Sequence, residues 1–147
     1  MRAFWRKKTT DRVLNYLGLM RRAGRLELGE TATGAAVRAG HARIVVLASD
    51  ASDNAKKRAA GYLSGRRALL VPLPYTKAEL SELLGKGGCS MAACTDFGLA
   101  SAFLKALSEQ HGGEYEAMAA EMSRRAQKAE RRRAMGPKCK PGREHHE

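Results

Sequence analysis

A chain of 147 residues has room for one domain with a buried core, and 27 Lys and Arg against 15 Asp and Glu leave it at +12. Such an excess points to a polyanionic partner, a nucleic acid or an anionic membrane surface. The longest apolar runs, IVVLA and ALLVPL, are far too short to span a membrane, and the start MRAFWRKKTTDR lacks the apolar segment of a secretory leader, so neither is expected.

Thr9, Thr10 and Asp11 offer N-caps for a first helix. Val13, Tyr16, Leu17 and Met20 then recur at helical spacing on one face, and Gly24 stops the run. Leu26 and Leu28 alternate with polar neighbours and predict a very short strand. A modest helix follows over 30–39, with Ala32, Ala35, Ala36 and Val37 as its small apolar side. Gly34 inside it costs about 1 kcal/mol relative to alanine. IVVLA at 44–48 is β-branched and uninterrupted, the pattern of a buried strand. Asp50 and Ser52 offer caps for a helix over 53–64 that turns Ala55, Ala59, Tyr62 and Leu63 inward and Lys56, Lys57 and Arg58 to water.

ALLVPL at 68–73 predicts a strand at a sheet edge, because Pro72 has no N–H for the ladder. Thr76 to Glu79 is a capping box, and Leu80, Leu83 and Leu84 bury the helix it opens. Gly85-Lys86-Gly87-Gly88 reads as a loop, SMAACT at 90–95 as the last strand, and Asp96 as the cap of a helix carrying Leu99, Ala100, Phe103, Leu104 and Leu107. Alternating strands and helices indicate an α/β domain over 9–108 with helices on both sheet faces, preceded by a basic arm at 1–8. Beyond HGG at 111–113, a charged helical extension is expected within 109–135, with Tyr115, Met118 and Met122 as a weak apolar stripe. Its first turns are acidic and its last turns basic, which suits the helix dipole. Residues 136–147 read as a disordered tail.

The charge lies mainly in the expected domain: residues 1–108 carry 18 basic and 8 acidic groups, and the remaining 39 carry 9 and 7. Three cysteines, with no CxxC or zinc spacing, suit a reducing cytoplasm and no metal; Cys94 reads as a small buried apolar residue. No Rossmann, P-loop, nucleophile-elbow or zinc-protease motif is present, and no catalytic centre or cofactor is expected. Eight aromatics form no stacking pattern, so recognition of a structured RNA is expected rather than single-strand stacking. Arg21, Arg22, Arg25, Arg38 and Arg43 are the favoured phosphate contacts, bracketing the N-terminus of the 30–39 helix, whose free amides attract an anion.

RLELGETATGAAVRAGHARIVVLASDASD at 25–53 sets a glycine before a helix, an R-x-G turn after it, a hydrophobic strand, and A-x-D-A-S. In order and spacing this resembles the L-seven-Ae/L-thirty-e superfamily of kink-turn RNA-binding ribosomal proteins. LGLMRRAGRLELGE, LASDASDNAKK and ELSELLGK are similar to its bacterial YlxQ-like branch, and the resemblance covers about residues 9–108. It implies a three-layer α/β/α sandwich around a small mixed four-stranded sheet, a structured or kink-turn RNA partner, and an association with the ribosome or translation. It also implies that the RNA is gripped by Gly29 to Ala35, including Glu30 and Thr31, and by the loop Lys86, Gly87, Gly88, Cys89 up to Met91. Many members carry Asn, Glu and a basic residue where this chain has Thr31, Ala32 and Ala35. Thr31 can still hydrogen-bond; the two alanines cannot, a loss of about 1–3 kcal/mol of base discrimination each by analogy with DNA readout. The alternative is a protein-binding adaptor of the same fold, docking through its alanine-rich helix and the Tyr115–Met118–Met122 stripe. A nucleotide-dependent enzyme has no supporting motif.

Overall fold

A computed structural model describes residues 12–85 and 90–135. The expected arm at 1–8, the caps at 9–11, the loop residues Lys86, Gly87, Gly88 and Cys89, and the tail at 136–147 lie outside the described residues.

The elements run α1 (Arg12–Arg22), β1 (Leu26–Leu28), α2 (Glu30–Arg38), β2 (Ile44–Leu47), α3 (Asp53–Leu63), β3 (Leu69–Pro72), α4 (Lys77–Leu84), β4 (Met91–Cys94), α5 (Phe97–His111) and α6 (Tyr115–Met135). The four strands form one mixed sheet in the order β1-β4-β2-β3. β4 is antiparallel to both its neighbours, and β2 and β3 are parallel. β3 is an edge strand ending at Pro72, where the missing N–H removes no ladder bond.

Alternation along the central strands divides the core in two. Ile44, Val46, Ala92 and Cys94 face a larger layer built on Val13, Leu17, Met20, Leu80, Leu84, Phe103, Leu104 and Leu107, from α1, α4 and α5. Val45, Leu47, Met91 and Ala93 face a smaller one with Ala36, Val37, Ala55 and Ala59, from α2 and α3. The result is an α/β/α sandwich. Fully burying each Leu or Phe contributes about 1.5–3 kcal/mol, so the larger layer carries most of the hydrophobic stabilisation.

Local chemistry sets most helix starts. Ser52 Oγ accepts from Ala55 N at 3.1 Å. Thr76 and Glu79 form the full capping box, with Thr76 N donating to Glu79 Oε1 at 2.9 Å and Glu79 N to Thr76 Oγ1 at 3.2 Å. Asp96 Oδ2 accepts from Leu99 N at 2.8 Å. Asp50 does something the sequence did not indicate. Its carboxylate accepts from Lys77 N at 2.8 Å, so it caps α4 across the fold rather than the helix that follows it.

Two helix faces are displaced from expectation. α1 buries Leu14 with Val13, Leu17 and Met20, and leaves Tyr16 half-buried. α2 buries Thr33, Gly34, Ala36 and Val37, with Ala35 exposed and Ala32 half-buried. In α2 small residues lie on several sides, so their periodicity does not select a face. Gly34 selects it. A Cβ there would stand 2.8 Å from Cζ of the Tyr62 ring, so the glycine leaves room for this side chain of α3 against α2.

The C-terminal helix is packed onto the body. α5 runs on to His111, Met122 of α6 is fully buried in the larger core layer, and Tyr115, Met118 and Ala119 pack against it. The Tyr115 hydroxyl donates to the Pro72 carbonyl, and Arg125 Nη1 donates to the Arg67 carbonyl at 2.6 Å. Among the described residues no helix is long and apolar enough to cross a membrane.

Candidate nucleic-acid interface

Gly29 opens α2 with φ 94° and ψ 166°, a conformation open to glycine and strained for other residues. Its N–H donates to the Met91 carbonyl at 2.9 Å, which ties the start of α2 to the start of β4. Gly29 has no side chain to cap the helix, and the first intrahelical bond is Thr33 N to Gly29 O at 3.0 Å. Among the described residues the amides of Glu30, Thr31 and Ala32 therefore meet no acceptor at the positive end of the helix dipole, where α3, α4 and α5 carry side-chain caps. Thr31 is exposed beside them. The Glu30 carboxylate, which would oppose an anion there, is paired with Arg58 of α3. Lys56 and Lys57 remain exposed, whereas Arg58 has this specific partner.

Arg21 stands over Gly85, its Nη1 3.6 Å from where a Cβ would be. Arg22 is exposed and folds back along its own helix, with Nη1 3.6 Å from the corresponding point at Gly18. Among the described residues neither has a carboxylate partner.

The other three arginines are not where the sequence led us to expect them. β1 runs antiparallel to β4 with Leu26 opposite Cys94, so Arg25 lies beyond the far end of β4, where its carbonyl accepts from Thr95 N at 2.9 Å. Arg43 reaches the same end, donating its N–H to the Cys94 carbonyl at 2.7 Å. Arg38 closes α2, nine residues and so roughly 13 Å from Gly29 at about 1.5 Å per residue. Antiparallel register and helix length thus separate Arg25, Arg38 and Arg43 from the α2 N-terminus, which they do not bracket.

Arg43 instead belongs to a cleft of about 450 Å³ at that opposite end. Its guanidinium lies 4.2 Å from the centre of the Phe97 ring, and Nη1 is 3.4 Å from the Gly40 carbonyl. Arg66, Arg67, Arg125, Lys128 and Arg132 complete the basic lining. Sequence reasoning missed this cluster as a unit. Its signals were visible in the GRR turn at 65–67 and in the basic last turns of α6, but only the docking of α6 brings them together.

Cys94, at the same far end of β4, is buried, and burial pushes its thiol up to about 11, so it is an inert core group near neutral pH. Of the apolar stripe that an adaptor would use, Met122 is fully buried in the core, and Tyr115 and Met118 are half-buried against it.

No protein-family profile matches the chain. Over 76 residues, 52% of this chain and 73% of the relative, it is 37% identical to the RNA-binding protein YlxQ of Enterococcus faecium. Among solved structures it resembles a protein of unknown function from Bacillus halodurans C, with a TM-score of 0.61, 24% identity, and coverage of 67% of this chain and 98% of that one. It also resembles the Giardia lamblia 15.5kD RNA binding protein, with a TM-score of 0.54, 16% identity, and coverage of 65% and 82%. These two structures share the fold. The glycine-opened helix, the mixed sheet and the extent of identity to YlxQ together establish that this chain belongs to the YlxQ branch of the L-seven-Ae/L-thirty-e superfamily.

Proposed function

We propose that this protein is a non-catalytic, cytoplasmic RNA-binding protein that docks a bent, structured RNA, of the kink-turn type, on the N-terminal end of α2, and that its RNA belongs to the ribosome or the translation apparatus. The observation that carries this reading is the uncapped start of α2. Among the described residues its first three amides meet no acceptor, Thr31 beside them is exposed, and the Glu30 carboxylate is paired with Arg58. Arg21 and Arg22 supply phosphate contacts, and the loop Lys86-Gly87-Gly88-Cys89 is the second grip. With alanines at 32 and 35, affinity comes from backbone amides and arginines more than from base-reading side chains. The name of the Enterococcus faecium relative, an RNA-binding protein, supports the same class of partner.

A gel-shift titration at several salt concentrations tests this, comparing a kink-turn RNA, a straight duplex of equal length and a ribosomal RNA fragment. The kink-turn or ribosomal fragment is expected to bind more tightly than the duplex. If about six phosphates are neutralised, affinity falls roughly 10³-fold between about 50 and 200 mM salt. Equal binding to all three removes the bent-RNA assignment, and absence of binding at low salt removes RNA binding altogether.

A further inference from the structure

The cleft at the opposite end from Gly29 has no part in that grip, yet it gathers basic side chains from three parts of the chain. Six cationic side chains line it, and none of its lining residues is acidic. Two of the six are structural. Arg125 is held by Glu121 at 2.6 Å and by the Arg67 carbonyl, and Arg43 lies on Phe97 with its Nε buried and unpartnered. The other four, Arg66, Arg67, Lys128 and Arg132, are exposed, and among the described residues none pairs with a carboxylate. Arg66 makes only a 3.5 Å contact with the Arg38 carbonyl. Holding so many like charges around one concavity is unfavourable unless an anion enters it.

Its shape indicates which anion. Arg125, Lys128 and Arg132 follow one another at i, i+3 and i+7 along α6, a row roughly 10 Å long at about 1.5 Å per residue. The GRR turn between α3 and β3 forms the facing wall. Lys128 and Arg132, the exposed members of this row, stand opposite a second basic wall, which suits successive phosphates of a chain, whereas a single phosphate would be met by convergent, buried donors.

Resting on the RNA reading above, we propose that this cleft is a second RNA site, which holds the sugar-phosphate backbone of a segment flanking the bend bound at α2. It contributes affinity without base selection, through Arg66, Arg67, Lys128 and Arg132. RNA bound at α2 would reach it only if its flank extends around the sandwich. α2 alone spans roughly 13 Å, and a flank of about ten base pairs, even at somewhat less per pair than the roughly 3.4 Å of B-DNA, is ample.

The test uses the full chain with Arg66, Arg67, Lys128 and Arg132 all changed to Gln, exposed positions where the fold is retained, checked by thermal melting. Two RNAs are titrated: a short bent hairpin, and the same hairpin with the ten-pair flank. The variant is expected to bind the short RNA like the wild type and the long RNA at least tenfold more weakly at low salt. The salt slope for the long RNA should drop by about 3, at about 0.7–0.9 for each phosphate that the variant leaves without a cation. Equal weakening for both RNAs, or no weakening for the long one, overturns the second site while leaving RNA binding at α2 in place. A wild type that binds neither RNA removes both readings. Tight binding of a mononucleotide that disappears in the variant, with long-RNA affinity unchanged, would reassign the cleft to a small phosphate ester and also overturn the proposal.

Discussion

Replacing Gly34 by Ala sets two effects of opposite sign against each other. In an isolated helix the change stabilises by about 1 kcal/mol, because glycine loses more backbone entropy on folding. Here the new methyl would stand 2.8 Å from Cζ, 2.9 Å from Cε1 and 3.2 Å from the hydroxyl of Tyr62. Carbon pairs rest at about 3.5–4.0 Å, so the ring or the α2–α3 spacing must give by roughly 0.7 Å. Tyr62 is half-buried and can swing only partly outward. Overpacking of this kind costs about 1–3 kcal/mol, so Gly34→Ala should destabilise by about 1 kcal/mol net. In a Tyr62→Ala background the obstacle is gone, and the same substitution should stabilise by about 0.5–1 kcal/mol. Urea unfolding followed by circular dichroism on the four proteins of this cycle measures both values, with unchanged m-values required. If Gly34→Ala has the same effect in both backgrounds, within about 0.3 kcal/mol, the packing account of this glycine is wrong.

Other outcomes follow from single interactions. The Cys94 thiol has its folded pKa raised from 9.0 to about 11 by burial, so its contribution is intact below pH 9 and declines as pH rises through about 11. Over that window the wild type should lose about 2–3 kcal/mol more than Cys94→Ala in denaturant titrations, and equal losses would refute the linkage. Met122→Ala should destabilise by about 2–5 kcal/mol, and Tyr115→Phe by about 0.5–1.5 kcal/mol through loss of the bond to the Pro72 carbonyl; neutral effects would show that α6 is not part of the cooperative fold. Arg58→Ala frees the Glu30 carboxylate at the α2 N-terminus, so RNA affinity should fall several-fold in gel shifts. Stability should change by less than about 1 kcal/mol, since the pair is at the surface. Glu30→Gln should raise affinity, and a fall would argue against an anion at this end.

The sequence by itself determined the order of elements, most helix caps, the edge position of β3 and the family. These depend on interactions within a few residues: Thr76 with Glu79, Ser52 with Ala55, Asp96 with Leu99, and the missing N–H of Pro72. The relations between distant segments were decided only by the tertiary structure. Antiparallel pairing of β1 with β4 carried Arg25 to the far end of the sheet, and the length of α2 kept Arg38 from Gly29. Asp50 capped α4 because the chain returns beside it, not because of its neighbours in sequence. Burial of Met122 brought the basic end of α6 against Arg66 and Arg67 and made one cleft from charges that lie far apart in the sequence. Net charge and caps are properties of residue type and short spacing, whereas the place where charges meet depends on strand register and helix docking, set by interactions between segments tens of residues apart.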